Sequence, residues 1–200
     1  MKARLIFYSF LFATVVALLS NCSGGKKEAS EDTQAQTSEE KASEATAPQF
    51  AVSESFQQQL GKVFTSYLSL KDAFVASDAQ KVKSGASTTS QAVAGVDMKL
   101  LSGAAHNDWM SYLTPIQTSL KEIESTADIE VQRKAFSTLS ENLYKSIKAF
   151  GLAGTEAFYD FCPMAFNNEG AYWLSDKAAI RNPYFGEAML TCGTVKETLK

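Results

Sequence analysis

From Phe50 onward, apolar side chains recur at steps of three and four. Phe56, Leu60, Val63, Phe64, Tyr67, Leu68, Leu70 and Phe74 share one face of a helix, which the spacing predicts over roughly 53–76. Ser77-Asp78-Ala79-Gln80 has the Ser-x-x-Gln form of a capping box and predicts the start of a second helix. Its inward stripe is small: Ala79, Val82, Ala86, Thr89, Val93 and Val96, with Gly85 and Gly95 weakening its continuity. Trp109, Leu113, Ile116, Leu120 and Ile123 form a third stripe, in which Pro115 should kink the helix or interrupt one backbone hydrogen bond. Asp128 can cap a fourth, whose stripe is Phe136, Leu139, Leu143, Ile147 and Phe150, with Gly151 and Gly154 ending it. Four helices with short connections predict an all-α domain, an up-and-down four-helix bundle over 50–200. After Gly154 the period is lost, and 155–200 mixes aromatics with Gly, Pro and Asn. That segment is expected to be ordered but irregular, packed against the bundle.

The first fifty residues follow other rules. Lys2 and Arg4 precede an almost wholly apolar run from Leu5 to Leu19, too short for an ordinary spanning helix and typical of a signal peptide. The run closes Leu19-Ser20-Asn21-Cys22, which resembles a bacterial lipobox, although Asn21 stands where Gly, Ala or Ser is usual. Residues 1–22 are therefore expected to be a lipoprotein signal, with Cys22 the lipidated residue. The mature chain would sit in the cell envelope, lipid-anchored and facing the periplasm or the exterior. Residues 23–49 are expected to be a disordered tether. Ser23 to Pro48 contain no aromatic and no Leu, Ile, Val or Met, and so cannot bury enough apolar surface to offset the entropy of ordering.

Composition narrows the function classes. A formal net charge of −3 with scattered Lys and Arg shows no basic stripe, which argues against a nucleic-acid partner. A single histidine excludes a multi-histidine metal centre within the chain. No P-loop, Gly-x-Ser-x-Gly, Cys-x-x-Cys or His-Glu-x-x-His motif is present. A Cys162/His106 nucleophile pair lacks an identifiable orienting residue, so the chain is not expected to be an enzyme.

The chemistry concentrates in the tail. With Cys22 assigned to lipid, two thiols remain, Cys162 and Cys192. Each has a thioether close by, Met164 two positions after the first and Met189 three before the second. Thiolate and thioether are soft donors that favour Cu(I) or Ag(I). Such a set suits holding or passing an ion rather than hydrolysis. The alternative is a disulfide between Cys162 and Cys192, since an even pair outside the cytoplasm is commonly oxidised. Closing a loop of that size is worth about 3.5 kcal/mol in the chain-entropy treatment. His106, the only histidine, is a further candidate ligand at the start of the third helix. Tyr172, Trp173, Tyr184 and Phe185 can line a pocket or anchor the tail, and Arg181 can clamp Asp176 or Glu187.

The tail from Cys162-Pro-Met-Ala-Phe-Asn-Asn-Glu-Gly-Ala-Tyr-Trp-Leu-Ser to Ile180-Arg-Asn-Pro-Tyr-Phe-Gly-Glu-Ala-Met-Leu-Thr-Cys-Gly resembles a bacterial domain family of formally unknown function. The likeness extends upstream through Tyr67–Asp78, Leu101-Ser-Gly-Ala-Ala-His106-Asn-Asp-Trp109 and the segment from Asp128. That family occurs in Bacteroidetes-type lipoproteins and fused to periplasmic adaptors of copper/silver efflux pumps. The resemblance implies an all-helical envelope domain with a soft-metal role, with Cys162, Met164, Met189 and Cys192 as its sulfur positions and His106 and Trp109 in its pattern. It also implies an efflux-pump adaptor or another envelope protein as partner. Tyr159-Asp-Phe-Cys-Pro-Met loosely matches a small metal-binding module with Tyr-x-Cys-Pro-Met-His-Pro, but Ala165 replaces its histidine, and that module's site does not carry over. Two functions of different class follow: an envelope lipoprotein binding Cu(I) or Ag(I) for buffering or delivery to efflux, and a disulfide-stapled helical interaction module without metal.

Overall fold

A computed structural model describes residues 47–200. The signal peptide, Cys22 and nearly all of the tether lie outside the described residues. The chain forms α1 (Glu54–Val75), α2 (Ala79–Ala94), α3 (Gly103–Ser125), α4 (Ile129–Phe150), then β1 (Ala157–Cys162), β2 (Ala171–Ser175) and β3 (Thr194–Leu199). Single 3-10 turns lie at Met98–Leu100 and Gly186–Met189.

The helices form where the stripes predict them. Ser53 caps α1 by accepting the Phe56 N–H at 3.3 Å, and Phe56, Leu60, Val63, Phe64, Tyr67, Leu70 and Phe74 are buried along one face. The small stripe of α2 lets it approach α1 closely. A Cβ on Gly85 would stand 3.2 Å from the Leu70 Cα, so the position is held by backbone contact rather than by flexibility. The predicted cap of α2 is corrected by one residue. Asp78, not Ser77, caps the helix by accepting the Lys81 N–H at 3.0 Å. Ser77 adopts φ 52°, and its hydroxyl instead accepts from the Arg133 guanidinium at 2.9 Å. α3 runs unbroken through Pro115, burying Trp109, Leu113, Ile116, Leu120 and Ile123. Asp128 caps α4 through the Glu130 and Val131 N–H groups, and Gly151, at φ 75°, ends it.

Consecutive helices pack in chain order, α1 on α2, α2 on α3 and α3 on α4. Phe136 of α4 is the junction of this helical bundle, with ring centroids 4.5 Å from Phe74, 5.2 Å from Tyr67 and 6.1 Å from Tyr184. Gln132 ties helix ends together, its amide donating to the Ala79, Ile123 and Thr126 carbonyls.

The expectation of a purely all-α domain is overturned by the tail. Residues 157–199 build a three-stranded antiparallel sheet in the order β2-β1-β3, with α4 packed against β2. The strands are short, and β1 has inward-packed residues on both faces, so the period-2 alternation of a half-buried strand is erased. The expected irregular character survives only between the strands. Phe166, Asn167 and Asn168 are successive left-handed residues in the β1–β2 connection, and a long loop joins β2 to β3.

Arg133 fastens that long loop to the helices. Its buried side chain donates to the Pro183 carbonyl at 3.1 Å, to Ser77 and to Glu130. The Glu130 carboxylate is largely exposed, so that ion pair adds little. The carbonyl contact matters more, because removing the donor strands the buried Pro183 acceptor. R133M is expected to cost about 2–3 kcal/mol, read by urea unfolding. Arg181, by contrast, is exposed and forms no ion pair with Asp176 or Glu187 among the described residues.

Candidate functional site

β1 carries Cys162 at its end, where it pairs with Ala171 of β2. On the other side Phe161 pairs with Thr194, so the register brings Cys192, just before β3, beside Cys162. The two sulfurs stand 3.4 Å apart although 30 residues separate them in sequence. Both cysteines are unbridged; Cys162 is wholly buried and Cys192 half-buried. The hydrogen bond with Cys162 holds the Cys192 thiol above its ordinary range, with burial acting in the same direction.

Two local constraints place Cys192. Asn182 donates its side-chain amide to the Cys192 carbonyl at 2.8 Å, and its own oxygen accepts the Tyr184 N–H. Gly193 has φ 148°, and a Cβ there would fall 2.8 Å from the Trp173 ring and 3.0 Å from the Phe161 carbonyl. Only glycine lets the chain pass this close to β1 and Trp173.

The methionines sit next to this pair. Met164 follows Cys162 across Pro163, and the Cys192 N–H donates to the Met189 carbonyl at 3.1 Å. Met164 and Met189 line one cleft of ≈ 430 Å³ together with Glu130, Phe166, Tyr184 and Phe185. The four sulfur-bearing residues singled out by sequence are therefore gathered in one region. His106 is not with them. It lies one turn before Trp109, whose ring packs on Phe56 and Phe150. The thiols lie instead beside the Trp173–Tyr184–Phe136 contacts. Phe136 and Phe150 are separated along α4 by about 21 Å at 1.5 Å per residue. His106 thus occupies the opposite end of the bundle and reaches neither cysteine.

The donor chemistry is correspondingly soft. Among the described residues no group of three or more His, Cys, Asp and Glu side chains is placed to hold a metal ion. What the site offers is two thiols with thioethers nearby. Two thiolates at about 2.3 Å from one ion can stand up to about 4.6 Å apart, whereas a disulfide needs about 2.05 Å. The pair can open by about 1 Å to take an ion or close by about the same to form a bond.

The aromatics anchor the tail. Tyr144 of α4 stacks on Tyr159 at 3.8 Å, and Tyr159 on Tyr172 at 4.7 Å. Tyr144 donates to Glu197 of β3 at 2.6 Å, and Lys148 donates to both. Tyr184 packs between Phe136 and Trp173 and donates to the Tyr172 carbonyl.

One buried group escaped the sequence analysis. Asp160 is 0% exposed, and neither carboxylate oxygen has a hydrogen-bond partner. Burial pushes its carboxyl up to about 7, partly offset by the ammonium of Lys71 on α1. The available signal was a lone acid inside the aromatic run Phe158-Tyr159-Asp160-Phe161. A raised acid favours the folded state when protonated. Stability is therefore expected to fall as pH rises from about 4 to about 7, and the cost persists above that. D160N should remove this dependence and stabilise the metal-free chain at pH 8 by on the order of 3 kcal/mol, measured by urea unfolding across pH.

Comparison with known families places a DUF3347 domain, described as a protein of unknown function, at residues 63–155. The match covers most of the helices, including His106 and Trp109, and stops before the sheet and both cysteines. No curated protein and no solved structure matches the chain. No helix among the described residues is long and apolar enough to cross a membrane.

Proposed function

We propose that this chain is an envelope lipoprotein that holds a soft monovalent ion, Cu(I) or Ag(I), between the thiolates of Cys162 and Cys192. The single observation that carries this reading is the 3.4 Å approach of the two sulfurs at the end of a sheet, one buried and one half-buried. A pair held by two backbone segments is largely organised for a two-thiolate ion, and binding needs only loss of the thiol protons. Thioether-bearing residues adjoin each thiol along the chain, and among the described residues no group of three or more His, Cys, Asp and Glu side chains is placed to hold a metal ion. An open, half-buried edge suits an ion that is buffered and handed on, with an efflux adaptor or another envelope protein as recipient. The protein binds rather than catalyses, and Cys22 tethers it to the membrane.

The same sulfur approach supports a second reading, a disulfide-stapled helical interaction module. The two are separated by titrating the reduced, purified chain with Cu(I) against a chromophoric chelator. The proposal expects one tightly held ion per chain. No competition with the chelator, together with a disulfide in the natively isolated protein, would favour the staple.

A further inference from the structure

We infer that the cleft shared by Met164 and Met189 is the loading port of the thiol pair: a thioether station that captures the soft ion first and passes it inward. The inference rests on the soft-ion reading and assigns the route by which that site fills.

The sulfur-bearing residues differ in exposure, Met164 the most open and Cys162 the most buried. Met164 is 44% exposed, one of few large apolar side chains so placed among the described residues. Met189 and Cys192 are half-buried, and Cys162 is wholly buried. An ion arriving from solvent meets Met164 before the buried Cys162. The cleft joins them from two segments, the turn after β1 and the 3-10 turn Gly186–Met189. Each segment then leads directly into a thiol, Met164 through Pro163 into Cys162 and Met189 through its carbonyl contact into Cys192. The left-handed run Phe166–Asn168 turns the chain back over this cleft, where Phe166 packs edge-on against Tyr184 at 5.4 Å. An exposed methionine gains little as core packing, whereas it is well placed as a first donor.

The chemistry gives the two stations different tasks. A thioether is neutral and carries no proton, so it binds a soft ion without waiting for ionisation. The thiols bind more tightly but must each release a proton. Transfer proceeds by ligand exchange: a sulfur–metal bond to Met breaks as one to Cys192 and then Cys162 forms, the thiol protons pass to water, and the ion's oxidation state is unchanged. The thioethers set the loading rate and the thiolates set the affinity.

The test is stopped-flow transfer of Cu(I) from a competing nitrogen chelator to the full reduced chain and to M164L, M189L and the double variant. Leucine keeps the volume of methionine and so spares the fold. The double variant is expected to load about tenfold more slowly while equilibrium affinity stays within about twofold. Loading at the wild-type rate would overturn the port. So would a loss of affinity as large as the loss of rate, which would make the methionines holding ligands. A wild-type chain that takes no Cu(I) at all would remove the soft-ion reading itself, and the port with it.

Discussion

Replacing either cysteine by serine is expected to abolish competitive Cu(I) binding. With Cys22 given over to the lipid anchor only two thiolates remain, each is irreplaceable, and the loss should exceed the roughly 10–100-fold that an outer-shell partner is worth. C162S and C192S should behave alike as binders yet differ as folds. Cys162 is wholly buried on β1, so its serine carries a hydroxyl into an apolar site, whereas Cys192 is half-buried in a loop. C192S is therefore the cleaner variant: its helical circular dichroism and unfolding midpoint should match the reduced wild type while Cu(I) affinity disappears. Retained tight binding in C192S would show that the thiol pair is not the ligand set. Marked unfolding of reduced C192S would mean that the residue is structural.

The largest stability effect is expected from W173A. Trp173 is wholly buried on β2, packs edge-on against Tyr184 at 6.0 Å and forms the wall against which Gly193 passes. Truncation removes a large apolar side chain and leaves a cavity, at a cost of about 3–5 kcal/mol. For a chain of this size that lowers the midpoint by roughly 10 °C. The indole N–H has no hydrogen-bond partner, so W173F should recover most of the loss. Because Gly193 adjoins Cys192, W173A should also loosen the thiol pair. Its Cu(I) affinity should fall more than that of R133M, which acts on the same loop from its other end through Pro183. Thermal unfolding and chelator competition on the same preparations measure both effects.

The helices were legible in the sequence because each buries one face against its neighbours, and a 3.6-residue stripe survives in the order of residues. Asp128 was readable as a cap for the same reason: a cap is a local event. Ser77 was not, since its hydroxyl answers to Arg133, 56 residues away, and its positive φ frees Asp78 to cap instead. The sheet was missed because β1 is packed on both sides, Tyr159 against α4 and Asp160 on its opposite face, which leaves no alternation to read. Composition named the four sulfur residues, but their meeting depends on the β1–β3 register, a long-range fact. His106 qualified as a candidate ligand by residue type alone, and it lies at the wrong end of the bundle in space. Asp160 shows the converse. A single acid among aromatics reads as an exposed strand position until the covering helices are known.

The measurement that tests the central claim most directly is X-ray absorption at the copper edge on the Cu(I)-loaded chain, beside its C192S variant. Coordination by sulfur alone, lost in C192S, is the predicted result. A nitrogen or oxygen coordination shell on the loaded wild type, or the same copper spectrum from both proteins, would contradict it.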